Sequence, residues 1–242
     1  MSKALLAEHY PHTQYVEGWA DDLAFFLAQW YASTFLKTSP CNIIEMGVHH
    51  GYFFIGLEQL ASESARAVAI DIFDLQDKNV SHSGKGDIDI FKNHVQNHCK
   101  NPERVEIVQK DTLDIVLSAE DRHAFDIISV DAGHSAAHAF NDLTLAAELV
   151  SDRGIVLLDD VLNPGYCGVA TGSMQYFLQP HTRIVPVAIG YGKLMCCHRS
   201  HKNVVFSAIM NQQTALRTLG IKVSQVTQFA YHDIISLCGG LE

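Results

Sequence analysis

Asn42-Ile-Ile-Glu-Met-Gly47-Val-His-His-Gly51 is a short apolar run that ends in an acid and a glycine, with a second glycine four residues on. The run is too short for a helix, and the residues after it, 51–62, carry a helical apolar period. The stretch therefore reads as a strand that turns straight into a helix. Gly47 permits close backbone approach in the turn, and Gly51 opens a helix whose N-terminus faces a ligand. Plain turn chemistry explains the glycine pair equally well. The spacing is E-x-G-x-x-x-G and not G-x-G-x-x-G, which weighs against a nicotinamide dinucleotide, whose pyrophosphate wants a third close-approach glycine.

The same unit recurs outward from this stretch. Ala67-Val-Ala-Ile-Asp71, Val105-Glu-Ile-Val108, Phe125-Asp-Ile-Ile-Ser-Val-Asp131 and Gly154-Ile-Val-Leu-Leu-Asp159 are further apolar runs, separated by helical patterns at 87–98, 112–118, 135–150 and 168–178. Such alternation is the signature of parallel strands joined by helices on both faces of a sheet. Arg183–Ile189 and Lys193–His198 flank Gly190-Tyr-Gly192 and read as an antiparallel hairpin. The expectation is an α/β fold with a seven-stranded sheet, mostly parallel and ending in that hairpin. An amphipathic helix over 17–36, closed by Ser39-Pro40, precedes it. Three parts follow: an N-terminal helical segment (1–40), a core domain (41–200) and an extension (201–242) of unread role, whose apolar Val204–Ile209 could serve a subunit contact in a homo-oligomer.

The chain has 242 residues, 17 Lys+Arg against 27 Asp+Glu, a net charge of −10 and 48% hydrophobic residues, the composition of an ordinary soluble enzyme. A chain of this length can bury a substantial core without staples. The acidic balance, with no basic cluster, excludes a nucleic-acid backbone as partner. No run is long enough to span a membrane, and charge interrupts the N-terminus too early for a signal peptide, so a cytoplasmic location with reduced cysteines is expected. His94 and His98 have the spacing of a helical metal pair, but no third ligand accompanies them.

In an open α/β sheet, ligands bind beyond the carboxyl ends of the strands. Glu45 sits at the first such end, and Asp71 at the second, where an acid can accept hydrogen bonds from both hydroxyls of a ribose. Lys110-Asp111-Thr112 after the third strand suits an adenine amino group, or equally a helix cap. The fourth and fifth ends bring Asp131, Asp159 and Asp160 together. Carboxylates so close raise one another's pKa or demand a cation between them, and a hard divalent ion such as Mg²⁺ satisfies oxygen ligands.

These residues resemble a known family. Ile44-Glu-Met-Gly-Val-His-His-Gly-Tyr52 is similar to the first cofactor motif of class I S-adenosylmethionine-dependent methyltransferases, which have a Rossmann-like sheet, and Asp71 stands at the place of their ribose-binding acid. Asp131-x-x-His134 followed by Asp159-Asp160 resembles the metal-ligand arrangement of the metal-dependent small-molecule O-methyltransferases: catechol O-methyltransferase and the macrolide-sugar and cephalosporin-type enzymes. The resemblance covers roughly 15–200. It implies a cofactor site at Glu45, Gly47, Val48, His49, Gly51, Asp71, Ile72, Asp111, Thr112 and Asp131, and Mg²⁺ on Asp131, Asp159 and Asp160. In that family the residue three beyond the first metal aspartate is the general base, and here it is His134.

An imidazole suits that role, because its ordinary pKa of about 6.5 lets it take a hydroxyl proton near neutral pH. The N-methyltransferase pattern [ND]-P-P-[YFW] is missing after the fourth strand, where Asp131-Ala-Gly-His134 stands, so a hydroxyl of a small molecule or sugar is the expected acceptor. Its walls are expected from 12–17, 81–87 and 163–172. Two alternatives stay open at this point: a non-catalytic S-adenosylmethionine-binding protein and a nicotinamide-dependent oxidoreductase.

Overall fold

The structure is a computed structural model and describes residues 3–239. The chain opens with α1 (Lys3–His9), α2 (Asp22–Phe35), β1 (Ile43–Met46), α3 (Tyr52–Glu58), β2 (Ala67–Asp71) and α4 (Ile88–His98). It continues through β3 (Val105–Gln109), β4 (Phe125–Val130), α5 (Ala136–Leu149), β5 (Val150–Leu158), α6 (Cys167–Phe177), β6 (Ile184–Gly190) and β7 (Lys193–His198). Last come α7 (Lys202–Asn211), α8 (Gln213–Thr218), β8 (Ile221–Phe229) and β9 (His232–Gly239).

All strands form one sheet in the order β3-β2-β1-β4-β5-β7-β6-β9-β8. β1 to β5 run parallel, and β7 lies antiparallel between β5 and β6, as the hairpin reading requires. The sheet has nine strands, not seven. The difference lies in the extension. β9 adds in parallel to β6 through Ala188↔Ile235 and Ile189↔Ser236, and β8 pairs antiparallel with β9. Ile234, Ile235 and Leu237 are buried by this pairing, which covers an otherwise open apolar edge. Val204–Ile209 belongs to α7, where Val205 and Ile209 are buried in the protein's own core and Val204 is exposed. Residues 112–118 depart from the expected helix. Asp111 caps Leu113, the 3₁₀ turn ends at Asp114, and Ile115 leaves in extended backbone.

Two cores flank the sheet, and strand alternation assigns residues to them. Ile43, Ile127, Ile155, Leu157, Met195 and Cys197 face α2, α3 and α4. Ile44, Met46, Ile128, Val130, Val156, Leu158, Leu194 and Cys196 face α5 and α6. β1 is central, with β2 on one side and β4 on the other, so the chain's direction of progress reverses at β1 and opens a crevice at its carboxyl end. Side-chain caps fix the helices bordering this crevice. Asp87 accepts from Asp89 and Ile90 ahead of α4, and Ser135 accepts from His138 ahead of α5.

Candidate functional site

Steps of two along the strands decide what meets at the crevice. On the α2/α3 face, Ile43 leads to Glu45, Ile127 to Ser129 and Asp131, Ile155 to Leu157 and Asp159, and Cys197 back to Met195 and Lys193. The buried Ser129 hydroxyl donates to Glu45 Oε1 at 2.8 Å. Lys193, only 1% exposed, donates from Nζ to Asp159 Oδ2 at 2.5 Å, stands 3.7 Å from Asp131 Oδ2, and lies 4.7 Å above the Phe53 ring.

This cluster perturbs its own titrations. Burial pushes the Glu45 carboxyl up to about 7, against the pull of Lys193 and the Ser129 hydrogen bond. Burial raises Asp131 well above the ordinary carboxylate range, with Lys193 opposing and Asp159 adding to it. Burial disfavours the Lys193 ammonium, but Asp131 and Asp159 outweigh it and hold the group above its usual value.

A cleft of about 480 Å³ runs along these strand ends. Glu45, Gly47, Val48, His49, Asp71, Ile72, Asp111, Thr112 and Asp131 line it, as do His134, Asp159 and Asp160. Gly51 lies behind the wall as the N-cap of α3 and packs against Phe91. Gly47 has φ 84°, and a Cβ there would fall 1.9 Å from the Asp131 carbonyl oxygen, so contact between the β1 and β4 turns demands this glycine. Asp71 braces the adjoining loops: Oδ2 accepts from the His49 N–H at 2.8 Å and Oδ1 from the Phe73 N–H at 2.6 Å. Burial raises its pKa, and those two N–H groups oppose the rise.

His134 joins two sides of the cleft. Its Nε2 stands 3.1 Å from Asp160 Oδ2, its Nδ1 is 3.0 Å from both Ser81 Oγ and Ser83 Oγ, and its ring stacks on Tyr166 at 3.8 Å. Burial by itself would raise the Asp160 pKa, yet hydrogen bonds from His134 and Asn163 leave it below the usual range. Asp160 therefore stays ionised and can only accept, so the His134 proton sits on Nε2, and the single lone pair of Nδ1 accepts from one of the two serine hydroxyls, which also bond each other at 2.7 Å. Asp131, His134 and Asp160 each present a ligand atom, and those atoms lie within 4.8 Å of one another. Asp159, placed with Asp131 and Asp160 by the sequence, shares their strand end but is engaged by Lys193.

Lys193, buried behind the cleft wall, and the lining residues Gly18 and Trp19 were not visible in sequence. Lys193 heads β7, and only the alternation Lys193, Met195, Cys197 hinted that it shares a face with Asp159. Of the expected walls, Ser81, Ser83, Asn163 and Tyr166 line the cleft, whereas at the N-terminal side Gly18 and Trp19 do so in place of 12–17. His12 is buried with Nε2 on the Tyr52 carbonyl. His50 is buried off the cleft, and His94 Nδ1 donates to the His50 carbonyl, its ring 6.1 Å from that of His98.

Residues 44–161 match a family model described as a methyltransferase domain. The chain carries a methyltransferase domain over these residues. The matched span runs from β1 to just past Asp160, so it contains every strand end that lines the cleft. No curated protein matches the chain. Among solved structures, the fold is similar to an O-methyltransferase from Bacillus cereus in complex with S-adenosylhomocysteine, at 15% identity and TM-score 0.51, over 81% of this chain and 90% of that one. It is also similar to the O-methyltransferase TomG of Streptomyces achromogenes, involved in tomaymycin synthesis and solved with S-adenosylmethionine, at 16% identity and TM-score 0.53, over 81% and 88%. The O-methyltransferase NovP aligns at 14% identity and TM-score 0.57, over 73% and 80%.

Proposed function

We propose that the protein transfers the methyl group of S-adenosylmethionine to a hydroxyl oxygen of a small molecule or sugar, with His134 as general base. The observation that carries this reading is the His134 imidazole held between an ionised Asp160 and two hydroxyls at the cleft wall. Nδ1 already accepts from a hydroxyl group at 3.0 Å, the geometry needed to take a proton from one. Ser81 and Ser83 thus mark where an acceptor hydroxyl would stand.

The cleft fits the donor. Among the described residues, Glu45 Oε2 and His49 Nδ1 are buried without a hydrogen-bond partner, and both residues line it. Unpaired buried acceptors and donors are costly unless a ligand meets them. Glu45 suits the cationic methionine end, Asp71 the ribose and Asp111 with Thr112 the adenine. S-adenosylmethionine supplies an electrophilic methyl carbon, and as the acceptor oxygen bonds to it the carbon–sulfur pair remains on sulfur. His134 removes the acceptor's proton, and Asp160 offsets the positive charge that the imidazole then carries. Holding acceptor and methyl in line converts a bimolecular step into a near-unimolecular one. Trp19, 67% exposed, and Val80, 69% exposed, give the mouth an apolar rim suited to a partly apolar acceptor.

A divalent cation is compatible with the same edge. Asp131 and Asp160 would hold it, joined by Asp159 if that carboxylate releases Lys193, and it would supply a Lewis acid that lowers the acceptor hydroxyl's pKa.

The test uses S-adenosylmethionine labelled with ¹³C in the methyl group and a panel of hydroxylated phenols and glycosides. The expected product carries the label as an O-methyl group by NMR, and His134→Ala keeps affinity for S-adenosylhomocysteine while slowing turnover by about 10²- to 10⁴-fold. Label on nitrogen, or full turnover by the variant, would overturn the proposal.

A further inference from the structure

We propose that His138 is a positioning residue that fixes the Asp111 carboxylate to read the 6-amino group of the cofactor's adenine, and so sets a preference for adenosyl over inosyl ligands. The proposal rests on the cofactor reading above and adds a residue outside it. In the sheet register Asp71 is opposite Gln109, so Asp111 stands two residues past it at the end of the neighbouring strand, within the same cleft, where a base attached to a ribose on Asp71 would reach.

The hydrogen bonds run in one direction. Ser135 Oγ accepts the His138 backbone N–H at 3.1 Å as the cap of α5. Asp111 Oδ1, on the other side of the ring, can only accept, which leaves His138 Nδ1 to accept the Ser135 hydroxyl hydrogen 2.7 Å away. The imidazole proton consequently sits on Nε2 and donates to Asp111 Oδ1 at 3.2 Å. The same Oδ1 accepts the Leu113 N–H at 3.0 Å. Among the described residues Oδ2 has no hydrogen-bond partner, and Asp111 lines the cleft.

Packing holds this relay rigid. His138 is 6% exposed, and a Cβ on Gly133 would fall 2.3 Å from His138 Cγ, so the loop after β4 closes on the ring with no room for a side chain. A carboxylate whose first oxygen is pinned by two N–H donors presents the second at a fixed place. A carboxylate only accepts. It therefore bonds an amino group and opposes the carbonyl that hypoxanthine carries at that position, and discrimination of this kind is strong when the reading group is buried and fixed. Without His138 the carboxylate loses one of the two donors that fix its aim.

The experiment is calorimetric titration of the full chain with S-adenosylhomocysteine and S-inosylhomocysteine. The wild type is expected to prefer the adenosyl ligand by about 10- to 100-fold. In His138→Ala the preference collapses, because adenosyl affinity falls while inosyl affinity holds. His138→Gln, which can still donate to Asp111, restores part of it. Ser135→Ala lowers the preference by a smaller factor, and provides a second route should His138→Ala fail to fold. A purely structural role would weaken both ligands together and leave their ratio unchanged, which would overturn the proposal, as would a wild type without preference. A wild type that binds neither ligand would overturn the cofactor reading, and this inference with it.

Discussion

Replacing Lys193 by methionine removes the ammonium that balances two buried carboxylates while keeping most of the side-chain volume. The group is 1% exposed, donates to Asp159 at 2.5 Å and stands 3.7 Å from Asp131. Breaking a buried ion pair from one side costs about 3–5 kcal/mol, because the remaining charge stays uncompensated. For a chain of this size each kcal/mol lowers the melting temperature by about 2–4 °C, which predicts a loss of roughly 6–20 °C. The loss should depend on pH in a definite sense. Burial already raises Asp131 above 3.8, Lys193 counters that rise and Asp159 adds to it, so Lys193→Met raises it further. A carboxyl with a raised folded pKa penalises the folded state above that pKa and carries no penalty below the unfolded value. The deficit is therefore largest near pH 8 and shrinks as pH falls toward 4. Circular dichroism melts with a chelator present read both effects. Adding Asp159→Asn to the variant removes one stranded charge and should recover a large part of the loss. A variant within about 1 kcal/mol of wild type at pH 8, or a deficit that does not change with pH, would refute the ion-pair account.

Two further outcomes follow from the same cluster. With its pKa pushed up to about 7, Glu45 is neutral below that pH and ionised above it, so affinity for the cationic S-adenosylmethionine should climb as pH rises through 7 and then level off. Calorimetry between pH 6 and 8 checks this, and Glu45→Gln should bind more weakly with a flat profile. Mn²⁺ titration followed by electron paramagnetic resonance should show one bound ion, weakened at least about tenfold by Asp160→Asn; no bound ion in the wild type would remove the metal from the mechanism.

The parallel core was legible because each strand is an apolar run of period two or fully buried, and each helix between them repeats near 3.6. Local periodicity carries that information without any tertiary contact. The extension was not legible. Lys222-Val-Ser-Gln-Val-Thr-Gln-Phe229 is polar and lies at the sheet edge, and β9 is recognisable as a strand of this sheet only once β6 is there to pair with it. The helix expected over 112–118 failed for a local reason, since capping by Asp111 ends in a single 3₁₀ turn.

At the site the sequence alone determined which residues stand at the carboxyl ends of the strands, because strand ends are set by the chain itself. That was enough to place Glu45, Asp71, Asp111, Asp131, Asp159 and Asp160 along one edge. Which of those acids face one another, and what lies between them, was decided by tertiary structure. Lys193 comes from a hairpin 34 positions past Asp159 and claims that carboxylate, and the Ser81–Ser83 loop reaches across to His134. His138 reaches Asp111 only because α5 and β3 converge there. Hydrogen bonds between elements distant in sequence leave no periodic trace, so the identity of the acids was readable and their partners were not.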